Sequence, residues 1–216
     1  MFFQLVRRAC CLLGLMCLLT FAASGTIRSA VWIVATRGIA HLVPPDYALV
    51  GDSRVLDCRW IGRLSWNPLA IVNLAVGGTV LRQIQPQVDE AKALRAKYTI
   101  IAGGINDLLI DNAPTSRIAF DFALLMRGLG ENQTGVVTLI AYTADPALSQ
   151  RIDEANTLLS GLAKERTLAV IDLNGVLAHD GVLKPEMTYD GRHFTDRACD
   201  VWVGMLRITL SEMQRR

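Results

Sequence analysis

A serine, a histidine with an aspartate three residues before it, two glycines and an asparagine are the residues of this chain whose types and spacing could do chemistry. The serine is Ser53. In Tyr47-Ala48-Leu49-Val50-Gly51-Asp52-Ser53 a short apolar run reads as a buried strand, and Gly51 to Ser53 break it sharply. A serine at such an end is held on a rigid scaffold, and if a helix follows, the N–H groups at its start favour a developing negative charge. The same tripeptide also fits a plain turn with a helix cap. The candidate base is His193. In Asp190-Gly191-Arg192-His193 the carboxylate can reach the imidazole from a turn or incipient helix and fix its tautomer, so that the other ring nitrogen can take a proton from Ser53. Taken alone, an Asp-x-x-His pair equally suits a metal half-site or a helix start capped by Asp190. Of the other two histidines, His41 lies near the N-terminal apolar segment and His179 in a loop without a matching pattern.

Acyl transfer needs donors aimed where a tetrahedral oxyanion forms. Gly78, in Asn73-Leu74-Ala75-Val76-Gly77-Gly78, has no Cβ to keep its N–H at a distance, and Asn106, in Gly103-Gly104-Ile105-Asn106-Asp107, offers a short side-chain amide. Each segment is by itself also an ordinary turn or cap.

These residues need elements to bring them together. Strand patterns cover Tyr47 to Val50, Ala70 to Val76, Tyr98 to Ala102, Gly135 to Tyr142 and Thr167 to Leu173. Helical patterns cover Arg54 to Leu64, Val80 to Lys97, Thr115 to Leu129, Leu148 to Glu165 and Asp196 to about Met213, with Pro86 marking a kink or the true start of the second. Alternation of this kind implies a parallel sheet covered on both faces, with ligands bound beyond the carboxyl ends of the strands. Ser53, Gly78 and Asn106 each follow a strand end, and Asp190 and His193 fall between the last strand and the last helix. The sheet would gather them on one edge.

In that order the blocks resemble those of the SGNH hydrolases, the GDSL esterase and lipase superfamily. Gly51-Asp52-Ser53 matches the first block, Asn73 to Gly78 the glycine block, Gly104-Ile105-Asn106-Asp107 the asparagine block and Asp190-Gly191-Arg192-His193 the last. The resemblance covers residues 46 to 213 and implies a flavodoxin-like three-layer α/β/α sandwich with a five-stranded parallel sheet. It further implies no metal or other cofactor, and ester hydrolysis through an acyl-serine. Ser53 would be the nucleophile, His193 the base and then acid, and Asp190 its orienter; the N–H groups of Ser53 and Gly78 and the amide of Asn106 would form the oxyanion hole. The first block commonly continues with leucine. Here it continues with Arg54, read either as a cation beside the site or, preferably, as a solvated arginine on the first helical turn.

The remainder of the chain bounds this reading. With 216 residues there is room for one ordinary domain and an extension. Residues 1–27 carry Arg7 and Arg8 and then an uncharged, mostly apolar run long enough to be a signal peptide or membrane anchor. Residues 28–45 form a second apolar segment, with Arg37 and His41 on one helical face, that would lie at a membrane surface or pack against the domain of residues 46–216. Without its first 24 residues the body carries 20 basic and 20 acidic residues, which gives no reason to expect nucleic acid. Only Cys58 and Cys199 belong to the body. They would approach each other if Ser53 and His193 meet, and could then pair or remain two small buried thiols.

The expected activity is that of an exported, periplasmic or inner-membrane-anchored serine esterase removing or transferring short acyl groups such as acetyl, on a small ester or an acylated envelope polysaccharide. The alternatives are a lysophospholipase or thioesterase at the membrane surface and a non-catalytic envelope-binding module. Oligomeric state is not legible.

Overall fold

The computed structural model describes residues 37–129 and 134–215. The signal or anchor expected over residues 1–27 lies outside the described residues, as does the start of the 28–45 segment. Strands β1 (Tyr47–Gly51), β2 (Ile71–Asn73), β3 (Tyr98–Ala102), β4 (Thr134–Thr138) and β5 (Ala169–Ile171) form one parallel sheet in the order β2-β1-β3-β4-β5. The helices are α1 (Ser53–Asp57), α2 (Leu81–Ala93), α3 (Ile105–Leu109), α4 (Thr115–Arg127), α5 (Ser149–Glu165), α6 (Asn174–Leu177) and α7 (Asp196–Gln214).

Side-chain alternation along the strands divides the core. Ala48 and Val50 of β1 join the cluster built from α2, α4 and α5, with Leu81, Ile84, Ile118, Phe122, Ile152 and Leu159. Leu49 points the other way, into the cluster of α1 and α7 with Val55, Trp202, Val203 and Leu206. Helices therefore cover both faces, which is the expected three-layer arrangement, and the strand order is the doubly wound one whose switch point lies between β1 and β3. Ser53 follows β1 and Asn106 follows β3.

Several boundaries differ from the periodicity, for local physical reasons. The first helix ends at Asp57 rather than Leu64, because Cys58 turns extended and the Trp60 indole N–H takes the carbonyl of Val55 at 2.7 Å. Trp60 and Leu64 beyond it are buried, but not along one helix, and Ile61 is exposed. Pro86 lies inside α2, which starts at Leu81, and so is not its beginning. β4 ends at Thr138 because Asn156 takes over both backbone groups of Ile140, at 2.8 Å each. A short antiparallel pair, β6 (Ala178–His179) and β7 (Val182–Leu183), was not expected and places His179 beside Asp180 on an exposed turn.

Residues 37–40 are helical and rest on the domain. Ala40 joins the core, and Arg37 donates to the carbonyl of Asn73 at 3.1 and 3.2 Å. Among the described residues no helix is long and apolar enough to cross a membrane. Cys58 and Cys199 form a disulfide with their Cα atoms 5.6 Å apart, linking the chain just after α1 to α7 across a separation of 141 residues. Closing so long a loop restricts the unfolded chain. Replacing both with alanine should cost about 2–5 kcal/mol, read as a lower urea midpoint in the oxidised protein; an unchanged midpoint would mean that the crosslink does not stabilise the fold.

Candidate active site

The site begins with the exit from β1. Gly51 lies so close to β3 that a Cβ there would come within 2.1 Å of the Ala102 carbonyl oxygen, which only glycine avoids. The Gln87 side chain clamps Gly51 from α2, accepting from its N–H at 2.7 Å and donating to its carbonyl at 3.1 Å. Asp52 then caps α1 by accepting from the Arg54 N–H at 3.0 Å, and Ser53 is the first helical residue. Such a residue has an N–H without an intrahelical acceptor.

His193 stands opposite. Its Nε2 is 2.9 Å from Ser53 Oγ, and its Nδ1 is 2.6 Å from Asp190 Oδ2. Asp190 is further occupied by the backbone N–H groups of Arg192 and His193, both accepted by Oδ1 at 2.9 and 2.8 Å. Partial desolvation pushes this carboxyl up, but the bonds from the His193 N–H and ring and from the Arg192 N–H outweigh it and hold it down at about 2. It is therefore ionised at neutral pH. The Tyr189 ring stacks on the imidazole, with centroids 5.7 Å apart. His179 pairs instead with Asp180, its Nδ1 3.0 Å from Oδ2.

The remaining candidates border the same strand ends. An added Cβ on Gly77 would lie 3.8 Å from the Ser53 Cβ, which places the glycine turn beside the serine. Gly78 adopts φ +75°, and a Cβ there would meet nothing within 4 Å. Its requirement for glycine is therefore conformational rather than one of close approach. Asn106 uses one N–H of its amide to hold the Thr79 carbonyl at 2.9 Å, and Asp107 accepts from the Leu81 N–H at 2.9 Å. Two neighbours on α3 thus fix the segment that follows Gly78.

Arg54 departs from expectation most sharply. It is not solvated: the residue is only 6% exposed, and its guanidinium donates to three backbone carbonyls, those of Arg192 (2.8 Å), Ala141 (2.7 Å) and Tyr142 (3.0 Å). Burial lowers it to about 10, partly offset by Asp52 and Asp190, so it stays cationic at neutral pH. Burial also raises Asp52, with Arg54 opposing, and Asp52 Oδ2 has no hydrogen-bond partner among the described residues. Gln87, too, escaped the sequence reading. The signal was available, since Gln87 falls on the buried stripe of α2 with Ile84, Val88 and Ala91, where a polar residue needs a partner.

A groove of about 270 Å³ runs beside Asp190, bounded by Leu109, Ala144, Leu148, Gly191 and Arg192. Among the described residues no group of three or more His, Cys, Asp or Glu gathers as metal ligands do.

The chain belongs to the GDSL-like lipase/acylhydrolase family, whose model matches residues 49–200. In sequence it is similar to N-acylneuraminate cytidylyltransferases of Streptococcus agalactiae, 26% identical over 145 residues, which is 66% of this chain and 35% of theirs. The chain thus spans about a third of the length of these curated relatives. In structure it is similar to a GDSL-like lipase of Bacteroides thetaiotaomicron, with a TM-score of 0.67 and 13% identity over 84% of this chain and 99% of that one. A carbohydrate esterase of family 3 from Talaromyces cellulolyticus gives a TM-score of 0.64 and 13% identity, covering 78% and 97%.

Asp107 supplies a test of the segment that holds Gly78. Burial pushes its carboxyl from 3.8 up to about 6, with the Leu81 N–H opposing. A raised folded value means that the stability Asp107 contributes is complete below 3.8 and is lost as pH rises through about 6. The parent should therefore lose stability relative to Asp107→Asn across that window, seen as a pH-dependent difference in Tm; a difference independent of pH would contradict it.

Proposed function

We propose that this family member is an exported serine esterase acting on short acyl esters, with Ser53 as nucleophile. The observation that carries the reading is the hydrogen-bonded chain from Ser53 Oγ through the His193 ring to Asp190, at 2.9 and 2.6 Å. His193 Nε2 removes the Ser53 proton as Oγ attacks the ester carbonyl, and Asp190 keeps Nδ1 protonated and stabilises the imidazolium. The oxyanion is met by the N–H groups of Ser53 and Gly78 and by the free N–H of the Asn106 amide. Collapse expels the alcohol, which receives the proton from His193 and leaves an acyl-serine. Water, deprotonated by the same imidazole, then attacks the acyl carbon; the bond to Oγ breaks, the imidazolium returns its proton to Ser53, and the acid leaves.

The acyl part is inferred to be short. An acetyl esterase is among the proteins of similar fold, and no long apolar segment is inserted between the sequence blocks. The alcohol part is inferred to be a carbohydrate, since a carbohydrate esterase is among the structural neighbours and the sequence relatives are named for an N-acylated sugar. Export rests on the composition of residues 1–27.

The test is hydrolysis of p-nitrophenyl esters from acetyl to long-chain acyl. Short esters should be preferred, and a preference for long chains would contradict the short-acyl reading. Ser53→Ala and His193→Ala should lose several orders of magnitude in kcat, and Asn106→Ala about 10²–10³-fold. Near-parental turnover in Ser53→Ala would remove the serine mechanism.

A further inference from the structure

We propose that Arg54 is a positioning residue that sets the separation of Ser53 and His193, an inference that rests on the serine mechanism above. Arg54 directly follows the nucleophile in sequence, and its Nε donates at 2.8 Å to the carbonyl of Arg192, the residue directly before the base. A single side chain thus joins the backbones of the two reacting residues. Its other two bonds run to Ala141 and Tyr142, just past the end of β4, which fixes the guanidinium to the sheet. The group is a junction of three parts: the nucleophile helix, the sheet edge and the loop of the base.

Residues 189–193 form neither helix nor strand. The ends of that loop are joined by the Thr188–Phe194 bridge and by the Thr195 N–H on the Met187 carbonyl at 3.1 Å, and Tyr189 interacts with Asp57 of α1; between the ends the Ala144 N–H holds the Gly191 carbonyl at 2.8 Å and Arg54 holds that of Arg192. Phe194 anchors its far end: the ring is buried between the Arg54 guanidinium, 5.1 Å from its centroid, and Trp202, whose ring is 5.8 Å away. A buried cation is costly unless its donors are matched. Here they are matched by carbonyls that come from different elements, so the cost of moving any one of them falls on the whole junction.

The planar fork is what makes this possible. Its donors diverge at fixed angles, so a single group can reach carbonyls of two separate segments. Lysine keeps the charge but presents a single nitrogen, and leucine, common at this place in the family's first block, donates nothing. A shift of about 1 Å between catalytic groups can cost about 10²-fold in rate, so Arg54 acts on the reaction without touching the substrate.

The experiment measures the rate at which a fluorophosphonate labels Ser53 in the full-length protein, per folded molecule, with the folded fraction taken from near-UV circular dichroism. Labelling of the parent but not of Ser53→Ala secures the underlying mechanism; an unlabelled parent would overturn that mechanism and the inference with it. Given a labelled parent, Arg54→Leu and Arg54→Lys should each react about 10²-fold more slowly, and turnover of a short ester should show the loss in kcat rather than KM. A scaffold role alone would lower Tm and leave the rate per folded molecule unchanged. Parental labelling in either folded variant overturns the proposal. Failure of both to fold overturns it also, since Arg54 would then belong to the scaffold.

Discussion

The hydrogen bond between Ser53 and His193 joins residues 140 positions apart, and most of the fold can be understood as what keeps that 2.9 Å contact in place. One partner stands at the end of β1, a central strand clamped by Gln87 and pressed against β3 so closely that Gly51 cannot be larger. The other stands on an irregular loop that leads into α7. The two sides are joined behind the site by the Cys58–Cys199 disulfide and by edge-on packing of Trp60 and Phe194 against Trp202, at 5.0 and 5.8 Å. Each of these contacts lies in the α1–α7 layer, so the helix pair that starts at Ser53 and follows His193 behaves as one packed unit.

A second regularity concerns backbone groups just beyond the strand ends, where the ladder stops and buried N–H and C=O groups need other partners. In this chain side chains take them up. Gln87 serves Gly51, Asn156 serves Ile140, Asn174 serves Ile140 and Tyr142, and Arg54 serves Ala141 and Tyr142. The strand ends are thereby held open toward the ligand side of the sheet rather than closed by further pairing.

Legibility in the sequence followed the range of the interaction. Ser53, Gly78 and Asn106 stood out because each lies in a short block past a strand, and Asp190 and His193 because they form a local Asp-x-x-His block before the last helix; the five strands were readable from their apolar runs. Boundaries set by distant side chains were not. The end of β4 depends on Asn156 and Asn174, and the early end of α1 on Trp60; neither has a periodic signature. Arg54 was misread for the same reason. A charged residue on a first helical turn is normally solvated, and only the fold brings three unpaired carbonyls to meet it. The Cys58–Cys199 pairing stood between, suggested by proximity to Ser53 and His193 but conditional on their meeting.

The central claim is that Ser53, activated by His193, becomes acylated. Intact-mass spectrometry of the protein after brief reaction with p-nitrophenyl acetate and an acid quench tests it most directly. The account predicts a fraction of the protein heavier by one acetyl group, mapped by digestion to the peptide containing Ser53 and missing in Ser53→Ala. Turnover of the ester with no adduct on Ser53 in rapid-quench samples, or an adduct that persists in Ser53→Ala, would contradict it.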